Sequence, residues 1–121
     1  MNQTQYVIKS FVMGYHDYQK HWKPKENEIL ECEMEPSNVM DKYAVAVKNE
    51  GKVVGHLMKG EKGNFAKMIF YFLRADDFNK CQCKIVGKPV NLGNGMGLQV
   101  PCELLFTGRD IFISKLKNCL S

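Results

Sequence analysis

The chain has 121 residues, of which 45% are hydrophobic and 25% are charged, and its formal net charge is +4 at pH 7. This length allows one domain, and this composition excludes a chain that is disordered throughout. The longest apolar run, at 68–73, is far shorter than the roughly 18 residues that a membrane-spanning helix needs, so a membrane-spanning protein is excluded as well.

The first half of the chain begins with a strand and a long connection. Residues 6–13 are rich in β-branched and aromatic types and are followed by Gly14, which predicts a strand. Residues 14–27 form a polar and aromatic segment that is long for a simple connection, as functional loops often are. Residues 28–34 alternate apolar side chains with glutamates. This pattern predicts a strand whose glutamates, continuing to Glu35, face solvent.

A turn and a hairpin follow. Residues 35–42 contain Pro36, which cannot donate to a strand ladder, together with Asn and Asp residues that close turns on their own backbone. Residues 43–47 alternate again, and 52–57 form a returning strand after a tight turn at 49–51.

The second half of the sequence predicts a helix at 61–74, strands at 80–87 and 98–106, and a final helix at 109–120. The first helix carries apolar residues at three- and four-residue spacings, and Gly63 or Asn64 is its candidate start. The two strands enclose a glycine-rich connection at 88–97. Pro101 lies inside the last strand, which indicates an edge or a bulge.

This order of elements, β-β-β-β-α-β-β-α, indicates an α+β fold that is mainly β. We expect one domain over residues 1–121, built as a small antiparallel OB-like β-barrel of about six strands with two helices.

The cysteines and the N-terminus bear on the compartment. The first ten residues lack the basic and leucine-rich segments of a secretory signal, so we expect an intracellular protein, with the nucleus as one candidate location. The five cysteines are an odd number, and a reducing compartment predicts free thiols. Cys81 and Cys83 are two residues apart, which places them on one face of a strand. We expect the cysteines to act as small buried hydrophobic residues, with no metal and no cofactor.

The positive charge is concentrated in the second half of the chain. Residues 1–60 hold eight Lys/Arg and eight Asp/Glu, whereas residues 61–121 hold nine and five. This distribution is compatible with an anionic partner but does not require one.

The segment between Glu35 and Lys59 contains an acidic residue with proline, an asparagine, an aspartate, an alanine-containing strand, a hairpin and Val-Gly-His-Leu. In this order and spacing, the motif resembles the HIRAN domain. Segments 12–18 and 101–108 resemble the family's first strand with its aromatic loop and its last strand, so the resemblance covers about 11–108. The matching motif positions are Glu35, Pro36, Asn38, Asp41, Ala44, Val45, Val47, Gly51, Val54, Gly55, His56 and Leu57.

The resemblance implies a nucleic-acid-binding module that captures the 3′ end of single-stranded DNA. By position, Asp41 would accept a hydrogen bond from the terminal 3′ hydroxyl, Asn38 and His56 would contact the terminal nucleotide, and Lys59 would contact phosphate. The long loop would add two more side chains. The candidate nucleic-acid-binding residues are therefore Asp41, Asn38, His56, Lys59, His16 and Tyr18.

Two positions depart from the pattern that this resemblance implies. Met40 and Leu98 stand where DNA-binding members carry aromatic residues, and stacking on an aromatic ring is worth roughly 1–3 kcal/mol per base. Asp17 adds a negative charge to the long loop, while Trp22 or Tyr15 are candidates to replace the missing rings. The alternative hypothesis is therefore a protein-interaction module on the same barrel, with DNA binding weakened or lost.

The candidate residues also have purely structural interpretations. Asp41 could close its own turn, His56 could bind a backbone carbonyl, and Lys59 could be a solvated charge. Trp22 and Tyr18 could pack the long loop onto the barrel.

An enzyme is the third hypothesis and the one that the sequence favours least. A nuclease or hydrolase would need converging His and Asp side chains, and here these residues lie on separate predicted loops. The sequence also contains no H-x-x-H, C-x-x-C, P-loop or G-x-S-x-G motif. We therefore expect a binding module without catalytic activity.

Overall fold

The computed structural model describes residues 3–60 and 62–121, and this part of the chain contains seven strands and three helices. The strands are β1 (Gln3–Met13), β2 (Ile29–Met34), β3 (Val45–Asn49), β4 (Lys52–Leu57), β5 (Lys80–Ile85), β6 (Val90–Asn91) and β7 (Leu98–Arg109). The helices are α1 (Tyr15–Tyr18), α2 (Phe65–Ala75) and α3 (Asp110–Leu120).

Six strands form a closed antiparallel barrel. Their order is β1-β4-β3-β2-β5-β7, and β7 pairs back with β1 from Gln3↔Arg109 to Val12↔Val100. The two-residue strand β6 pairs with β7 outside the barrel. The predicted mainly β barrel of about six strands is thus confirmed. The helix α1 and strand β6 are additional elements within segments that the sequence predicts as connections.

The barrel interior is apolar and contains four of the five cysteines. Cys32, Cys81, Cys83 and Cys102 are at most 5% exposed, in agreement with their predicted role as small hydrophobic residues. Cys119 differs because it lies on the exposed side of the last turn of α3. A hydrogen bond with Cys83, together with burial, raises the pKa of Cys102, so this thiol stays protonated at neutral pH.

Strand β3 begins two residues later than the predicted strand at 43–47 and shows no alternation of burial. Val45, Ala46 and Val47 are all fully buried. Ala46 lies in register between Glu33 of β2 and His56 of β4 on the outer face. We attribute its burial to these two larger neighbours, because directly opposed side chains on one sheet face contact each other.

The two longer helices pack against each other and against the barrel, α2 next to β2 and β3 and α3 next to β1 and β7. Asn64 precedes α2, as predicted, and α3 begins one residue after the predicted start; Glu61, where the predicted first helix began, lies outside the described residues. Phe72 of α2 meets Phe106 of β7 edge to face, with ring centroids 5.8 Å apart. Among the described residues, no helix is long and apolar enough to cross a membrane.

Pro101 lies where the neighbour of β7 changes. The register between β5 and β7 ends at Ile85↔Cys102, and that between β6 and β7 begins at Val90↔Gln99. On the same side, the carbonyl of Pro101 accepts a hydrogen bond from Val86 N (3.0 Å). Pro101 has no amide hydrogen to donate, and it lies where the ladder on this side of β7 is interrupted. This is a position at which proline is tolerated in a strand.

Gly55 allows β1 and β4 to approach each other beside His56. A Cβ atom at position 55 would lie 2.8 Å from the carbonyl oxygen of Met13 and would overlap Val12 Cγ1. Both obstacles belong to the packed barrel wall, since Val12 is fully buried.

We therefore expect Gly55→Ala to lower the free energy of unfolding by about 1–3 kcal/mol, the usual cost of overpacking. Urea denaturation followed by circular dichroism would measure this loss. Gly87→Ala is the matched control, because its Cβ would lie at an ordinary 3.4 Å from Pro101 Cγ. An equal effect of the two substitutions would contradict the close-approach explanation.

Candidate functional site

The site lies in the loop at 35–44, which connects β2 to β3. Glu35 N donates to the carbonyl of Ala44 (2.9 Å) and closes the base of the loop. Within the loop, Asn38 N donates to the carbonyl of Glu35 (3.1 Å), and Ala44 N donates to that of Asp41 (3.1 Å). The loop is thus held by its own backbone as two successive turns.

Asn38 joins these turns through its side chain. Its Oδ1 accepts hydrogen bonds from Met40 N (2.8 Å) and Asp41 N (3.1 Å), and its Nδ2 donates to Glu35 Oε1 (2.7 Å). This arrangement needs an acceptor and a donor on one short side chain, which an amide has and a carboxylate lacks. The asparagine in the motif therefore determines the shape of the loop.

Glu35 is the central acceptor of the site. Its Oε1 also lies 2.7 Å from His56 Nε2, and because an ionised carboxylate can only accept, Nε2 carries the proton. Burial by itself would raise the pKa of Glu35. The hydrogen bonds from Asn38 and His56, with the charges of His56 and Lys48, outweigh burial and lower that pKa.

The sequence assigned Glu35 to the solvent-facing glutamates, and this prediction is wrong. Strand β2 ends at Met34, so the alternation that exposes Glu31 and Glu33 does not continue into the loop. The signal that could have identified Glu35 is its place in the motif, directly before Pro36 and three residues before Asn38.

Asp41 uses its two carboxylate oxygens differently. Oδ1 accepts a hydrogen bond from Tyr43 N (2.9 Å), so the aspartate does close its own turn. Oδ2 lies 4.0 Å from Lys59 Nζ, and the side chain remains 22% exposed. The loop thus links Asp41 to His56 through Asn38 and Glu35. Four of the six predicted site residues therefore lie close together, namely Asp41, Asn38, His56 and Lys59.

The remaining two predicted residues lie on α1. Burial, followed by the negative charges of Glu35 and Asp17, raises the pKa of Tyr18. His16 is exposed and lines an open cavity with Met13 and the glycine-rich segment 95–97. Met13 is also the register partner of His56. His16 is therefore a neighbour of the network on the same side of the barrel and not a member of it.

Trp22 is not available to replace a missing aromatic ring, contrary to one expectation. It is 3% exposed, its Nε1 donates to Glu28 Oε1 (3.2 Å), and its ring meets Tyr15 edge to face at 6.0 Å. It fixes the long loop to the barrel instead. Met40 is 86% exposed and Leu98 is 36% exposed, so both apolar side chains are accessible at the surface.

Within the ranges 3–60 and 62–121, no three His, Cys, Asp or Glu side chains are arranged to hold a metal ion. The carboxylate of Asp41 is partly exposed, and Lys59 is the cation next to its Oδ2.

We predict that Asn38→Asp destabilises the loop more than Asn38→Ala does, because it would place two carboxylates in hydrogen-bonding range of each other. We expect a loss of roughly 1–3 kcal/mol at pH 7 from the broken charged hydrogen bond. This loss should become smaller as the pH falls and the two carboxyl groups share a proton. Urea denaturation at several pH values measures both effects.

Glu35→Gln in the Asn38→Asp background is the matched test of that prediction. Glutamine supplies a donor toward the new carboxylate, so the double variant should recover part of the lost stability. Additive losses in the double-variant cycle would show that the two side chains do not interact.

The chain matches no family model and no curated protein sequence, but it is similar to solved structures. The crystal structure of the HIRAN domain of human HLTF has a TM-score of 0.71 at 22% identity, covering 94% of this chain and 85% of that chain. The NMR structure of the HLTF HIRAN domain in its DNA-bound conformation has a TM-score of 0.64 at 20% identity, covering 97% and 88%.

A third similar structure is the crystal structure of a protein from Lactobacillus plantarum. Its TM-score is 0.55 at 10% identity, and the alignment covers 89% of this chain and all of that chain. The chain therefore has the fold of HIRAN domains, as the motif between Glu35 and Lys59 predicts.

Proposed function

We propose that this chain is a nucleic-acid-binding module that captures the 3′ end of single-stranded DNA at Asp41. The observation that carries the proposal is the partly exposed carboxylate of Asp41, held by a hydrogen-bonded loop with Oδ2 beside Lys59. The fold supports it, because a HIRAN domain of the same fold has a DNA-bound conformation.

The two oxygens of Asp41 explain why an end would be preferred. Oδ1 is bound to the Tyr43 amide, and the 4.0 Å between Oδ2 and Lys59 Nζ is too long for a hydrogen bond. Oδ2 can therefore accept a hydrogen bond from a sugar hydroxyl, and a charge-assisted bond of this kind is about twice as strong as a neutral one. A 3′ phosphate would instead bring negative charge toward the carboxylate.

The neighbouring side chains have complementary roles in this proposal. Lys59 supplies the positive charge for the phosphate of the terminal nucleotide. Glu35 holds the His56 ring through Nε2 and thereby directs Nδ1 away from the carboxylate, toward the nucleotide. Asn38 keeps the backbone of Asp41 in place, while Tyr18 and His16 border the nucleotide from α1.

We predict that the chain binds single-stranded DNA with a 3′ hydroxyl more tightly than the same strand with a 3′ phosphate or a blunt duplex. Fluorescence anisotropy measures the three affinities. Asp41→Asn should reduce the preference for the hydroxyl by about tenfold or more, since it removes a charged hydrogen-bond acceptor. Asp77→Asn, at an exposed carboxylate in the connection between α2 and β5, is the control. Equal weak binding to all three ligands would refute end capture.

The base of the terminal nucleotide would lie against Met40 and Leu98, which are aliphatic. We therefore predict that Met40→Tyr strengthens binding by roughly tenfold, because stacking on an aromatic ring contributes about 1–3 kcal/mol per base. The same anisotropy titration measures the gain. Val39→Tyr is the matched control, since residue 39 is the neighbouring exposed position. A gain common to both variants would indicate nonspecific adhesion.

Three further expectations stay predictions. If the chain binds DNA without cleaving it, labelled DNA remains intact during incubation with the protein and Mg²⁺. A protein partner at Met40 would be retained in a pull-down at about 0.5 M salt, where exposed charges are strongly screened, and lost with Met40→Asp. An intracellular location, including the nucleus, can be tested by imaging the tagged chain.

A further inference from the structure

We propose that a second surface, the cationic ridge formed by Lys42, Lys59, Lys67 and Arg74, binds the phosphate backbone of the nucleotides that precede the captured end. This inference rests on the proposed function and extends it from the terminal nucleotide to the strand behind it. The ligand class is a single-stranded polyphosphate chain, which the ridge would recognise through charge and not through base identity.

The ridge begins at the capture site. Lys59 lies 4.0 Å from Asp41 Oδ2, and its carbonyl accepts a hydrogen bond from Phe65 N (2.7 Å), at the first residue of α2. Lys42 follows Asp41 in the chain, and its Nζ lies 5.2 Å from the centroid of the Tyr43 ring. The first two cations of the ridge are therefore neighbours of the proposed hydroxyl acceptor.

The ridge continues along α2 over two tyrosine rings. Lys67 Nζ lies 4.7 Å from the Tyr43 centroid and 6.0 Å from that of Tyr71, and the guanidinium of Arg74 lies 4.8 Å from the Tyr71 centroid. The two rings contact each other, with centroids 5.5 Å apart. These contacts connect Lys42, Lys67 and Arg74 through the Tyr43 and Tyr71 rings, and Lys59 lies beside Asp41 at the start of the ridge.

The rings position the cations instead of stacking bases. A lysine or arginine over an aromatic face is attracted by the negative charge of that face, and both rings already interact with cations in this way. A cation held in this way loses less conformational entropy when it meets a phosphate. Lys42, Lys59 and Arg74 are nonetheless exposed, and Lys67 is partly exposed, so a phosphate can reach them.

The local charge supports this ligand. Residues 65–75 of α2 include Lys67 and Arg74 and no acidic residue. Asp76, which follows the helix, is bound by Arg109 Nε (2.9 Å) and therefore does not oppose the ridge. Lys67 and Arg74 are seven residues apart, which corresponds to about 10 Å along a helix axis. The surplus of positive charge in the second half of the chain thus contributes directly to the ridge.

The test compares a trinucleotide with a dodecanucleotide, both single-stranded and both with a 3′ hydroxyl. The double variant Lys67→Gln/Arg74→Gln should bind the dodecanucleotide roughly tenfold more weakly and should reduce the slope of log K against log salt by about 1.4, from 0.7 per phosphate contact. Its affinity for the trinucleotide, measured by NMR titration, should be unchanged. The variant should also keep the wild-type preference for a dodecanucleotide with a 3′ hydroxyl over one with a 3′ phosphate.

The control variant Lys52→Gln/Lys117→Gln removes the same charge elsewhere. Lys52 lies at the opposite end of β4 from His56. Lys117 belongs to α3, and its Nζ lies over the ring of Tyr6 in β1. Equal losses in the two double variants would overturn the ridge, because net charge alone would explain them. Tyr71→Leu keeps both cations but removes a ring that positions them, and it should give an intermediate loss.

The remaining outcomes separate the ridge from end capture. If Lys67→Gln/Arg74→Gln binds the dodecanucleotide with wild-type affinity and salt slope and keeps the hydroxyl preference, the ridge is overturned and end capture is not. Loss of dodecanucleotide binding in that variant, with no hydroxyl preference in the wild type, would support the ridge and refute end capture. No binding of either oligonucleotide by the wild type would overturn both.

Discussion

The carboxylate of Glu35 is the interaction on which the candidate site depends. One oxygen, Oε1, accepts hydrogen bonds from Asn38 in its own loop and from His56 on a strand twenty-one residues later, each at 2.7 Å. The carboxylate thereby fixes a loop to the barrel wall. Without this acceptor, Asn38 would lose its anchor, and the turn that presents Asp41 would no longer be tied to β4.

The barrel in turn makes this contact possible. Gly55 lets β4 lie close against β1, and the next residue, His56, is then in register with Met13 on one side and Ala46 on the other. The side chain of Ala46 is small and leaves room for the imidazole of His56 to reach Glu35. The motif residues therefore combine two tasks, since some set the spacing of the strands and others carry polar groups into the loop.

The sequence predicted the elements whose patterns are local and long, and it missed features that depend on tertiary contacts. The apolar spacing of α2 and the alternation of β2 lie within single segments, whereas α1 has only four residues, too few to show a helical period. The burial of Trp22 depends on where the long loop folds. Glu35 was missed because the alternating pattern runs one residue past the end of β2.

The long pairing of β1 with β7 has a consequence for how the chain acquires its site. The first described residue of β1, Gln3, is partnered by Arg109, and β1 also supplies the partner of β4 beside His56. Contacts so far apart in the chain require the closure of a long loop before they contribute stability, and this slows folding. During synthesis, β1 can form this pairing only after β7 has been translated, so the barrel wall beside Gly55 and His56 closes no earlier than the last strand becomes available.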